Sequence, residues 1–448
     1  MKKTVNKLKL TPLRTIILGY FVIICLGAFL LCLPIASRGG QWTNYFDTLF
    51  TATSATCVTG LIVFDTYTYW SIFGQIVILI MIQVGGIGFM TLAISAMTLT
   101  KRKIGLRSRY TLQESVNAVQ VGGIVRMTRF ILTGTTFFEI SGAVLLSFRF
   151  CPQYGFWKGV YFAVFHSVSA FCNAGFDLMG GSEPFSSLTQ YASDPLVNVV
   201  IVLLIIIGGL GFFVWSDIKT NKFRFRRYKL HTKVVLVTTG ALIILPFLFL
   251  LFTERNNPNF NESPRTYLLS ALFQTVTTRT AGFNTADLTT ISDAGILCMI
   301  FLMLIGGSPS STAGGLKTTT LAMLIASLVS VLKKRKSITC FQRRINDNAL
   351  LSIISIVALY VLLFFGCAML ICAFDSLSLK EAMFETASAI GTVGLTLGVT
   401  PTLGTASHFI LMALMFFGRV GGLTLLLALH DQQSATPSKY PVENITIG

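Results

Sequence analysis

The sequence predicts an all-α polytopic membrane protein of four internal repeats, eight spanning helices and four re-entrant ones, and three observations carry that prediction. Long stretches lack any acidic or basic side chain. Lys and Arg cluster between those stretches. A short polar motif ending in glycine recurs once in each quarter of the chain.

The charge-free stretches come first. Of 448 residues 53% are hydrophobic, 12% are charged and 37 are Phe, too little polar surface to cover soluble cores. Thr15–Ser37 and Thr66–Thr100 hold no acid or base, nor do Pro195–Ser216, Val234–Thr253, Ala294–Leu316 and Asn348–Phe374. Roughly 20 apolar residues cross a bilayer core as helix. The first stretch is too long for a signal-peptide core and shows no cleavage site, so it is expected to be a retained span.

The net charge of +17 invites a nucleic-acid reading, but its distribution opposes one. Of the 35 basic residues, 25 lie at the N-terminus, in 101–129, in 219–233 and in 333–344. Basic loops mark the cytoplasmic side of a membrane, whereas nucleic-acid binding needs such groups on one soluble surface. The nine Cys form no CxxC and mostly sit in apolar runs, supporting neither a disulfide framework nor a zinc site. The four His (His166, His231, His408, His430) are scattered, and no catalytic or nucleotide-binding constellation stands out.

Between basic clusters the pattern repeats. Phe50, Phe165, Phe273 and Phe384 are each followed four residues later by a hydroxyl: Ser54, Ser169, Thr277 and Ser388. Each copy then ends in a glycine turn, at Gly60, Gly175, Gly282 and Gly394. Downstream come Gly85-Gly-Ile-Gly88, Gly208-Gly-Leu-Gly211, Gly306-Gly-Ser-Pro309 and Gly418-Arg-Val-Gly421, ascribed mostly to close helix packing. Two aligned elements in all four quarters establish an internal repeat.

The segment before each glycine turn is too short to span, so it is expected to enter part-way and return as extended backbone, tolerated only where it lines protein or a cavity. Each repeat then starts and ends on one side, which explains why the linkers are basic, and places both termini in the cytoplasm. The division is residues 1–100, 101–219, 220–332 with a broken second helix, 333–430, and a cytoplasmic tail at 431–448. Parallel repeats around an axis build a pore, whereas many carriers use inverted ones. Rings of backbone carbonyls replace the hydration shell of a cation, and glycine permits the backbone geometry. The candidate donors are Val58, Thr59 and Gly60; Asn173, Ala174 and Gly175; Thr280, Ala281 and Gly282; Thr392, Val393 and Gly394.

These pore loops, with the ending Phe417-Gly-Arg-Val-Gly-Gly-Leu-Thr424, resemble those of the Trk/Ktr/HKT potassium transporter superfamily, most closely the KtrB-type membrane subunit of bacterial Ktr systems. In that family a first-loop serine goes with Na⁺ preference. Gly60 therefore implies K⁺ uptake across the cell membrane, with a Na⁺-permeable or Na⁺-coupled transporter as the alternative. The resemblance further implies a homodimer, a cytosolic ring of nucleotide-binding regulatory subunits, and no cofactor on this chain beyond the transported ion.

Ionisable groups at membrane depth are costly and point to function. Arg419 replaces the second glycine of the fourth element; it is either an electrostatic barrier in the pore or a cap on nearby carbonyls. Gly306-Gly307-Ser308-Pro309-Ser310-Ser311-Thr312-Ala313-Gly314-Gly315 breaks a span just before Lys317, and hydroxyls there can satisfy the freed backbone. In the resembling family the matching segment is the intramembrane gate. Asp65 and Asp287, five residues past their glycines, and Asp177, two past its own, are candidates for the outer vestibule or ordinary loop acids. Arg279 is expected to point behind the filter and pair with a carboxylate. Glu139 has no partner legible in sequence.

Overall fold

The computed structural model describes residues 11–88, 91, 113, 124–181, 183–222, 224–257, 260, 263–335, 337–345 and 348–422. Most of the first basic linker and the whole predicted tail at 431–448 lie outside the described residues.

The elements fall into four stretches, each opening on a long helix followed by a short one and a further apolar helix, the last in two pieces in the second and third stretches. The first quarter holds α1 (Pro12–Cys32), α2 (Tyr45–Cys57) and α3 (Ile72–Ile87). The second holds α4 (Ile124–Tyr154), α5 (Phe156–Cys172), α6 (Pro195–Leu210) and α7 (Phe212–Asn221). The third holds α8 (Leu230–Thr253), α9 (Pro264–Thr277), α10 (Asp293–Leu304) and α11 (Thr318–Leu332). The fourth holds α12 (Asn348–Asp375), α13 (Leu379–Gly391) and α14 (Thr405–Val420). A two-residue hairpin, Thr339–Cys340 against Arg343–Arg344, sits in the third basic linker.

Local chemistry fixes the helix starts. Asn44, Ser71, Asp194, Ser263 and Ser292 each accept a first-turn N–H, and Pro195 and Pro264 open their helices. Ser378 and Glu381 form a reciprocal capping box at α13.

The first helices of the quarters are long and apolar enough to span: Leu13–Cys32, Val125–Tyr154, Leu230–Thr253 and Leu350–Asp375. The second helices are shorter than the sequence suggested. The expectation that only the third is broken is also corrected, because α6 and α7 meet at a bend of 93°. The cause is the last glycine of the repeated element. Gly88, Gly211 and Gly421 have φ of 86°, 92° and 91°, so no α-helix continues through them.

Burial is inverted relative to a soluble protein. Phe21, Phe29, Phe137, Phe148, Leu362 and Met369 stand exposed on the long helices, as lipid-facing side chains do. The hydroxyl-rich α2, α5, α9 and α13 are instead the buried ones. Their hydroxyls bond back to the preceding turn, as Thr53 to Leu49 O (2.7 Å), Thr275 to Ala271 O (2.8 Å) and Thr386 to Ala382 O (2.6 Å).

Packing between quarters closes a circle. α3 packs on α5, α6 on α9, α10 on α13, and α14 returns to α2. Each second helix thus supports the next quarter's buried short helix.

Candidate functional site

At the centre of this circle the turns that follow the four short helices meet one another. α2, α5 and α13 terminate in left-handed residues, Val58 (φ 58°), Asn173 (φ 60°) and Thr392 (φ 52°). Thr280 (φ 75°) takes that conformation in the third quarter, where Phe and Gly are one residue closer together. Two residues on come Gly60, Gly175, Gly282 and Gly394, all at φ between 71° and 98°.

These glycines form a closed ring. A Cβ built on Gly60 would lie 2.4 Å from Ala174 O, and one on Gly175 would lie 2.7 Å from Ala281 O. One on Gly282 would meet Val393 O at 2.4 Å, and one on Gly394 would meet Thr59 O at 2.1 Å. Each quarter's glycine therefore abuts the next quarter's carbonyl, and the fourth returns to the first. The structure brings the glycine of each turn and the residue before it, eight of the twelve singled out, into this ring. The helix C-termini beneath add partial negative charge.

Two sets of side chains brace the ring. The repeated hydroxyl is one set. Ser54 and Ser388 accept the N–H of Gly60 and Gly394, both at 3.0 Å. Ser169 and Thr277 instead donate to Phe176 O (2.7 Å) and Phe283 O (2.6 Å). The other set was missed in the sequence although its signal is there, one residue past the repeated Phe in the second, third and fourth quarters. His166 Nε2 accepts from Leu178 N–H (3.3 Å), and Gln274 Nε2 donates to Asn284 Oδ1 (2.8 Å). Glu385 accepts from Thr400 (2.8 Å) and Thr396. Each ties its short helix to the strand beyond the glycine. The hydroxyls of Thr56, Thr59 and Thr392 are buried without a hydrogen-bond partner among the described residues.

The segment Gly306–Lys317 lies against the helix side of the ring. Ser308 N–H donates to Gly209 O (3.0 Å), Thr312 N–H to Gly208 O (3.3 Å), and Phe212 N–H to Ser310 O (2.8 Å). On its other flank Gly315 N–H donates to Gly418 O (3.2 Å), and a Cβ on Gly314 would strike Thr392 Oγ1 at 2.2 Å. Lys317 Nζ donates to Ala313 O (2.8 Å), bracing the loop from within. The Arg419 guanidinium donates to Thr312 O, Gly85 O and Gly86 O. Of the two readings of Arg419, carbonyl capping is thus a geometric fact. The repeated glycines pack as read from the sequence: a Cβ on Gly85, Gly208 or Gly418 would meet Thr56 O, Phe171 O or Ile390 O at 2.0–2.2 Å.

The acids beyond the glycines are structural caps. Asp65 is buried; one oxygen caps the turn at Tyr67 and Thr68, and the other accepts Phe185 N–H (3.0 Å) from the second quarter. Asp287 is exposed and caps Thr289 (2.9 Å). Asp177 accepts Met179 N–H (2.9 Å), and burial pushes its carboxyl up to about 7. The carboxylate expected beside Arg279 is not found: Arg279 is buried, and its Nε has no acceptor among the described residues. Glu139 gains the partners that sequence withheld, Gln83 Nε2 at 3.0 Å and the Cys172 thiol at 3.9 Å.

A shell of apolar helices around converging backbone is the layout of a membrane-embedded protein. Comparison with known proteins specifies which kind. The chain belongs to the TrkH family of cation transport proteins, whose family model matches residues 26–436. It is 39% identical to the potassium/sodium uptake protein NtpJ of Enterococcus hirae over 100% of this chain and 99% of that one. It is 36% identical to the Ktr system potassium uptake protein B of Bacillus subtilis, again over 100% and 99%. Among solved structures, the potassium transporter TrkH of Vibrio parahaemolyticus shares the fold: TM-score 0.73, 19% identity, covering 96% of this chain and 87% of that one.

Proposed function

We propose that this chain takes up K⁺ across the cell membrane through one selective pore, as the ion-translocating subunit of a Ktr-type complex. The observation that carries the reading is the closed ring of Gly60, Gly175, Gly282 and Gly394 against neighbouring carbonyls. In this reading each quarter contributes two spans and one re-entrant helix, both termini are cytoplasmic, and K⁺ crosses where Val58–Gly60 and its three counterparts meet. Backbone oxygens there replace the hydration shell, and the helix ends favour a cation. The hydroxyls of Thr56, Thr59 and Thr392 line the same region.

Gly306–Gly315, with Lys317 and Arg419, is the gate. Its contacts with Asn173 and Thr392, the residues two before the glycines, support a loop that obstructs the inner mouth. Lys317 and Arg419 add positive charge on that route. Asp65, Asp177 and Asp287 line the outer approach. A cytosolic nucleotide-binding subunit moves the gate from the basic face, and the chain works as a homodimer without a cofactor of its own. The name of the Enterococcus hirae relative favours a second reading, shared K⁺ and Na⁺ uptake.

Expression in cells lacking K⁺ uptake, with the regulatory partner supplied and Na⁺ as competitor, tests the main claim. Growth at low K⁺ is expected, and its absence in cells with the protein at the membrane refutes the claim. Equal inhibition by Na⁺ and unlabelled K⁺ selects the second reading. Deleting Ser310–Gly314 is expected to raise flux; unchanged flux removes the gate.

A further inference from the structure

The loop and the ring share one side chain. Asn173 holds the left-handed position that Val58, Thr280 and Thr392 hold in the other quarters, and it alone reaches two other elements through its amide. Its Nδ2 donates to Thr280 Oγ1 at 3.1 Å, in the turn of the third quarter. Its Oδ1 accepts from Thr312 Oγ1 at 3.4 Å, a hydroxyl shared with Phe171 O at 3.1 Å. Asn173 is 1% exposed, and a Cβ on Gly208 would come within 2.9 Å of its Oδ1.

Conformation alone explains an asparagine here, since Asn tolerates φ near 60°. It does not explain why the two ends of the amide are engaged by two separate segments of the third quarter, its glycine turn and the Gly306–Gly315 loop. We propose that Asn173 is a specificity-determining residue, its amide making the ion discrimination of the second and third turns depend on where the Gly306–Gly315 loop sits. The inference rests on the gated-pore reading.

The physical argument is hydrogen-bond accounting. With the loop in place, Asn173 Oδ1 and Nδ2 are both satisfied. Withdrawal of Thr312 leaves a buried carbonyl oxygen without its donor, which is costly. The amide reorients to recover a donor, and Thr280 moves with it, because Nδ2 holds Thr280 Oγ1. Asn173 and Thr280 both supply backbone carbonyls two residues before their glycines, so the innermost layer of the ring differs between loop-in and loop-out states.

A double-mutant cycle tests this on the full chain with its partner. Asn173→Gly keeps the left-handed backbone and deletes the amide; Thr312→Val keeps the shape and deletes the hydroxyl. The readout is the ratio of K⁺ to Na⁺ needed to inhibit labelled-ion uptake by half, which a merely structural loss of active protein does not move. Each single variant is expected to shift the ratio at least threefold, the double no further than either, and Thr312→Ser to restore it. Multiplying effects overturn the proposal, as does an unchanged ratio in Asn173→Gly with uptake intact. If Asn173→Gly does not reach the membrane, Thr280→Val replaces it in the cycle with the same expectation. An unmutated protein without K⁺ uptake overturns the pore reading itself, whereas uptake with independent effects overturns only the coupling.

Discussion

Serine substitution along the glycine ring gives the most demanding check, because the structure ranks the four positions. A Cβ needs at least about 3.0 Å, so the facing carbonyl must retreat by about 0.9 Å at Gly394, 0.6 Å at Gly60 and Gly282, and 0.3 Å at Gly175. The φ values of 71–98° add strain on the order of 1–3 kcal/mol at each site. Strain alone changes the amount of folded protein; only carbonyl displacement changes the ring. Gly398 separates the two, since it has φ of 90° but nothing within 4 Å of a built Cβ. A ring that discriminates by carbonyl position loses discrimination as those oxygens move, and a loss of about 1.4 kcal/mol is a factor of ten. The assay is labelled-K⁺ uptake with Na⁺ as competitor. Gly394→Ser and Gly60→Ser are expected to lower the K⁺ to Na⁺ preference by about tenfold or more, Gly175→Ser by less, and Gly398→Ser not at all. An unchanged preference in well-expressed Gly394→Ser refutes the reasoning, as does a loss in Gly398→Ser matching that in Gly394→Ser.

Other consequences follow from single contacts. Arg419→Ala frees the carbonyls of Thr312, Gly85 and Gly86 from a charged donor, each bond being worth about 1.5–3 kcal/mol. Basal K⁺ flux is expected to rise, with Arg419→Lys intermediate because one ammonium cannot copy the guanidinium fork; unaltered flux in Arg419→Ala contradicts this. Gly418→Ala drives a Cβ to 2.2 Å from Ile390 O and is expected to abolish folded protein. Gly366→Ala, inside α12 with open space around it, should raise thermal stability by about 0.5–1 kcal/mol in a melting assay. Asp177, its carboxyl raised by burial to about 7, is neutral below that pH and anionic above it. Apparent K⁺ affinity is therefore expected to improve as external pH rises through 7, and Asp177→Asn to flatten that dependence.

The sequence by itself determined the class, and it singled out the four glycine turns as equivalent. Those features are written in period and composition: charge-free runs, basic linkers, and a Phe, hydroxyl and glycine at recurring spacing. The repeated hydroxyl was visible as a pattern, but its task was not, because Ser54 and Ser388 accept an N–H whereas Ser169 and Thr277 donate to a carbonyl. Tertiary structure alone decided what depends on contacts across quarters. It made Asp65 a clasp between two quarters, gave Glu139 the partner Gln83, 56 positions away, and left Arg279 Nε without an acceptor among the described residues. It also showed that the repeated glycines end three helices, not one, since φ is a property of the folded backbone. Spacing along a chain can reveal which residues are equivalent. Which of them touch across quarters is settled only when four separate stretches close around an axis, as the glycine and carbonyl contacts of the ring do.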